Sequence, residues 1–159
     1  MNIKNLKLTL IITCSLLSAS AMAGFDITRM TTVVDDFSGS YTVTRSGRLE
    51  NMNFSGNTLT EFNQFHPGTN DNNAALTGVI SKTITRGGGQ LNTSADGEFT
   101  VSTDDNSHAV SFTGLEVFAD ADGVVLSGTV TVNGTDYDAA DLPEVLAGLL
   151  RRVFWLTRR

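Results

Sequence analysis

Residues 107–134, SHAVSFTGLEVFADADGVVLSGTVTVNG, predict a β-hairpin with a tight acidic turn at residues 120–123. In the second strand of this hairpin the core-type residues fall on even numbers: Val124, Leu126, Val130 and Val132. A period of two places one face against a core and the other in water. The strand ends at Asn133-Gly134, a pair that tolerates the positive φ angles of a two-residue hairpin turn.

The first strand of the hairpin changes its parity at Gly114. Val110 and Phe112 share one parity, whereas Leu115 and Val117 share the other. A β-bulge adds one residue to a strand and so moves the following side chains to the opposite face, and glycine is common at such positions. The sequence therefore predicts a bulge at Gly114.

Features of this hairpin occur a second time, earlier in the chain. Two matches have an offset of 58 residues and a third has an offset of 50: YTV at 41–43 with FTV at 99–101, FSG at 54–56 with FTG at 112–114, and LTGVIS at 76–81 with LSGTVT at 126–131. The recurrent spacing and a parity change near Gly56 predict a duplicated β-meander, with copies at about residues 37–85 and 95–134.

The rest of the chain up to residue 140 has the same short alternating runs. Residues 25–37 predict a first strand, Ser46-Gly47 a hairpin turn, and residues 75–85 a long strand in which Lys82 interrupts the apolar face. Three glycines at 87–89 separate the two copies. About eight to ten strands with no internal helix pattern predict an all-β fold, an antiparallel sandwich or barrel, over residues 24–140.

Residues 141–159 have a different pattern, typical of a short amphipathic helix. Asp141 precedes Pro143 and Glu144, as at a helix N-terminus. At 100° per residue the apolar side chains share one face: Leu142, Val145, Leu146, Leu149, Leu150, Val153 and Leu156. Basic side chains lie opposite: Arg151, Arg152, Arg158 and Arg159. Such a helix can dock on the β domain, which we favour, or lie on an anionic membrane surface through these arginines.

The N-terminal residues predict export. Lys4 and Lys7 precede an apolar run, and Ala21-Met22-Ala23 is a small-x-small cleavage site, so residues 1–23 are typical of a secretory signal peptide. The alternative, lipid attachment at Cys14, has only a short apolar run before the cysteine. Cys14 is the one cysteine, so the mature chain would form no disulfide. We expect a periplasmic, outer-membrane-associated or secreted protein, of bacterial type.

Charge argues against nucleic acid as a partner. All 17 acidic residues lie beyond residue 23, against nine of the 11 basic ones, which gives the mature chain a charge of −8. Four of those nine are the C-terminal arginines, so residues 24–147 carry a charge of −12. A body of this charge repels polyanions.

Few residues of the mature chain suit catalysis. The chain has two histidines, His66 and His108, and neither is near a nucleophile motif, so each is interpreted as a solvated turn residue. Acidic turns supply weak calcium candidates: Asp104, Asp105, Asp120 and Asp122. Asp suits turns in any case, and we expect no obligatory cofactor.

The sequence therefore predicts a non-enzymatic secreted or cell-envelope β-module with a binding or structural role, and an envelope or extracellular partner. The alternatives are a small β-barrel carrier of an apolar ligand and a protein associated with a membrane surface. One loop is present in the first copy alone, and loops carry recognition on rigid scaffolds. Its residues are the candidates for recognition: His66, Asn70, Asp71, Asn72 and Asn73.

Overall fold

A computed structural model describes residues 25–50, 53–67, 74–87, 90–119 and 124–156. Several sequence predictions lie outside these residues: the signal peptide, Asn70, Asp71, Asn72, Asn73, Asp120, Asp122, Arg158 and Arg159. The described chain forms nine strands followed by one helix: β1 (Phe25–Val34), β2 (Ser40–Glu50), β3 (Asn53–Phe65), β4 (Ala75–Gly87), β5 (Gln90–Ser102), β6 (Ser107–Ala119), β7 (Val124–Ser127), β8 (Thr129–Val132), β9 (Thr135–Asp138) and α1 (Glu144–Leu156).

The strands form one antiparallel meander. Each strand pairs with the next in the order β1-β2-β3-β4-β5-β6-β8-β9, and β7 pairs with β6 beside β8. β1 and β9 do not pair with each other, so the sheet is not closed, and the fold is a sandwich-like meander rather than a barrel. The predicted all-β class with a short C-terminal helix is confirmed, and of the two predicted architectures the barrel is wrong.

The organising hairpin has the predicted features. Ala95 pairs with Leu115 and Gly97 with Phe112, so Asp96 lies opposite two residues and a bulge is present at Gly114. Gly114 has a φ of 63°, and its N–H donates to the Asp96 carboxylate at 2.7 Å. The predicted second strand is broken into β7 and β8 by Gly128, whose φ is 123°.

The hairpin turn at Asn133-Gly134 is also confirmed. Val132 pairs with Thr135 across it, and the two turn residues have φ angles of 50° and 80°. Two successive positive φ angles match the right-handed twist of the flanking strands, which is why Asn-Gly is favoured there.

Two predicted strand ends in the first copy are wrong. β2 continues through Ser46-Gly47 to Glu50, which pairs with Asn53, so the turn comes later in the chain. Gly47 lies under the Phe54 ring, where a Cβ would approach within 2.8 Å, and so the glycine provides room rather than a turn. β1 ends at Val34, and Phe37 is exposed in the β1–β2 turn.

The repeat matches are only partly reflected in local structure. Gly78 and Gly128, aligned in the third match, both have φ angles above 120°, and each lies between buried apolar residues. The parity change predicted near Gly56 is wrong, because Gly56 pairs regularly with Ile84 and the first-copy bulge lies opposite Thr77. Origin by duplication stays a prediction from the sequence.

The helix packs against the sheet with a rotated apolar face. Its buried residues are Ala147, Leu150, Val153 and Phe154, whereas Val145 of the predicted face is 81% exposed. The face rotates because the Phe154 ring packs on Phe112, with centroids 5.8 Å apart. The docked arrangement favoured from the sequence is the one observed.

One face of the sheet supplies the core. We call it the inner face, and its central rows carry buried residues from β1 to β8: Val33, Tyr41, Val43, Phe62, Leu76, Ile80, Phe99, Val110, Phe112, Leu126 and Val130. The aromatic residues cluster near one end of this face, where the centroids of Tyr41 and Phe65 are 4.7 Å apart. Close-packed apolar side chains of this kind supply most of the stability of a domain without disulfides.

Candidate binding site on the inner face

Charge is distributed unevenly between the two faces of the sheet, and among the described strands one basic residue, Arg48, lies on the outer face, where it pairs with Glu50 at 3.1 Å. Side chains alternate along each strand, and directly paired residues share a face, so the register assigns every charged strand residue to one side. Eight acidic residues of the described strands lie on the outer face: Asp26, Glu50, Glu61, Asp96, Glu98, Glu116, Asp136 and Asp138. The charged strand residues on the inner face are all basic: Arg29, Arg45, Lys82 and Arg86.

Three of these cations stand in one row across the sheet. Arg29 of β1 pairs with Arg45 of β2, which pairs with Thr58 of β3, which pairs with Lys82 of β4. We call Arg29, Arg45, Thr58 and Lys82 the cationic row. Neighbouring strands lie about 4.8 Å apart, so three positive groups fall within a span of about 15 Å.

The cationic row is partly withdrawn from water. Lys82 is 8% exposed and Arg45 is half-buried, whereas Arg29 is exposed. Burial lowers the pKa of Arg45, the neighbouring charge of Arg29 lowers it further, and Tyr41 has the opposite effect. Guanidinium groups stay protonated in proteins, so the row keeps a locally positive potential.

Lys82 departs in one respect from expectation. Its position on the apolar parity is confirmed, since it pairs with buried Ala95 on the inner face. A lysine that interrupts an apolar face ordinarily extends its amine to water, but most of the Lys82 side chain is covered. Thr58 and Thr60 beside it are buried as well, and the Thr60 hydroxyl has no hydrogen-bond partner among the described residues.

Beyond the row the inner face is apolar but open. Ile27 is 52% exposed, Leu91 is 62% exposed, and Leu49 is also exposed. The Phe54 ring covers Gly47 and Gly56 in this region. We call the cationic row together with Ile27, Leu49, Phe54, Ile84, Arg86, Leu91 and Thr93 the open half of the inner face.

A cleft of about 310 Å³ joins the open half to the core. Among the described residues that line it, Lys82 is the one with a charge, and the others are mainly apolar: Ile84, Leu91, Thr93, Val117, Phe118, Val124 and Phe154. A largely apolar cleft with a single cationic group is the lining expected for a small ligand that has an apolar and an anionic part.

His66, the described member of the predicted recognition loop, lies at the opposite end of the sheet. It is not a solvated turn residue: its side chain is 21% exposed, and its Nδ1 lies 3.1 Å from the Asp35 carboxylate. Asp35 also accepts the backbone N–H groups of Phe37, Gly39 and His66 at 2.8, 2.8 and 2.6 Å. Burial alone would raise the pKa of Asp35, but these hydrogen bonds outweigh it and hold the pKa below its usual 3.8.

This arrangement has a structural role, and we call Asp35 with its partners Phe37, Gly39 and His66 the tie. The carboxylate of Asp35 closes the β1–β2 turn and binds it to the end of β3, and the rings of Phe37 and His66 pack beside it in a tilted arrangement, with centroids 4.9 Å apart. A hydrogen-bonded carboxylate and imidazole of this kind fix two chain segments together.

The remaining predicted site residues do not come together. His108 contacts Asn133 at 3.1 Å near the β8–β9 turn, and Asp104 and Asp105 are exposed in the β5–β6 turn. Among the described residues no three His, Cys, Asp or Glu side chains form a metal-binding group. The calcium candidates Asp120 and Asp122 lie outside the described residues.

The membrane hypothesis for the C-terminal helix stays a prediction from the sequence. The apolar side of α1 is packed in the core, while Arg151 and Arg152 are exposed. In the described part of the chain no helix is both long and apolar enough to cross a bilayer.

Sequence reasoning missed Arg29, Arg45 and Arg86 as site residues. The signal was available, because Arg29 shares the odd parity of Ile27 and Val33, and Arg45 that of Tyr41 and Val43. Cations repeated at core-parity positions of neighbouring strands indicate a face that is not wholly apolar.

Comparison with known proteins adds no relative. No protein-family model matches the sequence, and neither the curated proteins nor the solved structures contain a match.

Proposed function

We propose that this protein is an exported, non-enzymatic β-module that binds a ligand in the open half of its inner face. The observation that carries the proposal is the uneven distribution of charge. Four strand cations and no strand carboxylate of the described residues lie on the inner face, whereas the outer face carries eight carboxylates and one cation, Arg48. Partly buried cations beside exposed apolar side chains favour a ligand that has both an anionic and an apolar part.

The carrier alternative is retained in a changed form. The sheet is open, so a ligand would lie on the inner face rather than in a closed lumen. A cleft of about 310 Å³ between that face and α1 is within the range of small-molecule sites.

Two features of the sequence support the rest of the proposal. The chain beyond residue 23 has no cysteine, one lysine and two histidines, which leaves few groups for nucleophilic or acid–base catalysis. Residues 1–23 support export to the periplasm, the outer membrane or the medium.

Native mass spectrometry tests this function. Residues 24–159 would be purified without detergent from the exporting host, and we expect a fraction with a mass above that of the chain. A variant with Arg29, Arg45 and Lys82 all changed to Gln is the matched partner and should lose the added mass. A bare chain mass in every preparation, or an added mass that the variant retains, would contradict binding in the open half.

A further inference from the structure

We infer that the ligand is a single-chain amphiphile with an anionic head, whose head lies on the cationic row and whose chain enters the cleft beside Lys82. This inference rests on the proposed binding function and specifies its chemistry.

The head group is identified by the row. Arg29 and Arg45 are directly paired on adjacent strands, and Lys82 is two strands from Arg45 in the same row. Guanidinium groups bind carboxylate and phosphate oxygens in bidentate fashion, and these charge-assisted bonds are the strong ones. An anion placed among three cations also removes their mutual repulsion, so it is stabilised by all of them at once.

The apolar walls of the cleft identify the ligand's alkyl chain. The cleft lies between Phe154 of α1 and strands β4 to β7, where Ile84, Val117 and Val124 are apolar. Exposed Ile27, Leu49 and Leu91 continue this surface toward the solvent. Covering such apolar area is favourable by about 25 cal/mol per Å², which a small inorganic anion cannot achieve.

The charge on the outer face excludes larger anions. Glu61, Glu98 and Glu116 are among the acidic residues of the outer face, and a polyanion or an anionic bilayer would meet them together with the cations. A single small amphiphile meets only the inner face. The geometry thus favours one soluble molecule per chain over a membrane surface.

The test is a titration of residues 24–159 with small amphiphiles, in which binding is measured by calorimetry and located by NMR chemical-shift mapping. The probes are decanoate and decyl phosphate below their micellar concentrations, neutral decanol below its solubility limit, and inorganic phosphate. We expect both anionic amphiphiles to bind with one site per chain. Decanol and inorganic phosphate should each bind about 10- to 100-fold more weakly, because each lacks one of the two contributions.

Two double variants separate charge at the row from charge in general. Arg45→Gln with Lys82→Gln should weaken decanoate binding about 10- to 100-fold and leave decanol binding unchanged. Arg151→Gln with Arg152→Gln removes the same charge from the exposed side of α1 and should leave both unchanged. Leu91→Asp, at an exposed position of the cleft wall, should weaken both probes while the unfolding midpoint stays close to that of the wild type.

The outcomes distinguish the inference from the function on which it rests. Equal binding of decanol and decanoate in the open half would overturn the anionic head but keep the binding function. No binding of any amphiphile, with unshifted resonances around Lys82 and Leu91, would overturn both. If the protein is retained on anionic vesicles but does not bind monomeric decanoate, a membrane surface replaces the soluble ligand. If inorganic phosphate binds as tightly as decyl phosphate, the alkyl chain of the ligand contributes nothing and that part of the inference is overturned.

Discussion

The two halves of the inner face have the same backbone and different contents. The closed half carries Val43, Ile80, Phe112 and Val130, all buried, and Phe154 of α1 packs on Phe112. The open half carries the cationic row on β1 to β4, two glycines under Phe54 and exposed apolar residues. The difference teaches that one alternating sheet can build a closed apolar core in one part and an exposed surface with basic residues in another.

The largest expected effect is the removal of a covering side chain. Phe154→Ala deletes a buried ring that packs on Phe112, so we expect a loss of about 3–5 kcal/mol in the free energy of unfolding. Urea denaturation with an unchanged m-value would measure it. Val145→Ala, on the exposed side of the same helix, should change stability by less than about 0.5 kcal/mol. Similar losses for the two variants would mean that α1 does not cover the core.

The second comparison uses two glycines that lie under aromatic rings. A Cβ at Gly97 would lie 2.6 Å from the buried Phe112 ring, and a Cβ at Gly47 would lie 2.8 Å from the half-buried Phe54 ring. Phe112 cannot move without disturbing the core, so Gly97→Ala should cost about 1–3 kcal/mol. Phe54 can rotate into the open half, so Gly47→Ala should cost less than about 1 kcal/mol by the same denaturation. A larger loss of stability for Gly47→Ala than for Gly97→Ala would contradict the conclusion that the Phe54 ring is free to rotate in the open half.

The third prediction concerns the tie at the end of the sheet opposite the open half. Asp35→Ala leaves the N–H groups of Phe37, Gly39 and His66 without their acceptor and should cost about 1–3 kcal/mol at pH 7. The folded pKa of Asp35 lies below its usual 3.8, so its stabilisation is complete above that usual value and is lost as the pH falls through the folded pKa.

The measurement is denaturant unfolding of wild type and variant between pH 7 and pH 2. The difference should stay constant down to about pH 4 and shrink below it. Asp36→Ala, at the exposed neighbouring position, should have little effect at any of these pH values. A difference that grows on acidification would contradict the assignment.

The smallest expected effect is on the row itself. Arg29→Gln removes the charge that faces Arg45, so the unliganded variant should be unchanged or more stable by up to about 0.5 kcal/mol at low salt. About 1 M salt should abolish the difference, because exposed charges are screened there. A clear loss of stability would show that Arg29 stabilises the fold and would contradict a net repulsion between Arg29 and Arg45.

Much of the fold was predictable because its signals are local. The bulge at Gly114 is visible as a parity change, and the turn at Asn133-Gly134 requires two positive φ angles that few residue pairs adopt. Gly47 was misread because a glycine that turns the chain and a glycine that makes room for a ring look alike in sequence. Which ring covers which glycine depends on the register of two strands.

The site was less predictable for the same reason. Arg29, Arg45 and Lys82 are far apart in the chain and form a row only once the register between β1 and β4 is fixed. The rotation of α1 likewise depends on where Phe154 meets Phe112. Parity identifies the face of each residue, but it does not identify its row.

The meander has a consequence for the order in which the molecule forms. Neighbouring strands are almost all consecutive in the chain, so each hairpin closes a short loop at small entropic cost and the sheet can grow from any of them. The helix that covers the core follows all the described strands. A nascent sheet therefore presents its apolar face until α1 arrives, and that interval is when the chain is most exposed to aggregation or to capture by a chaperone.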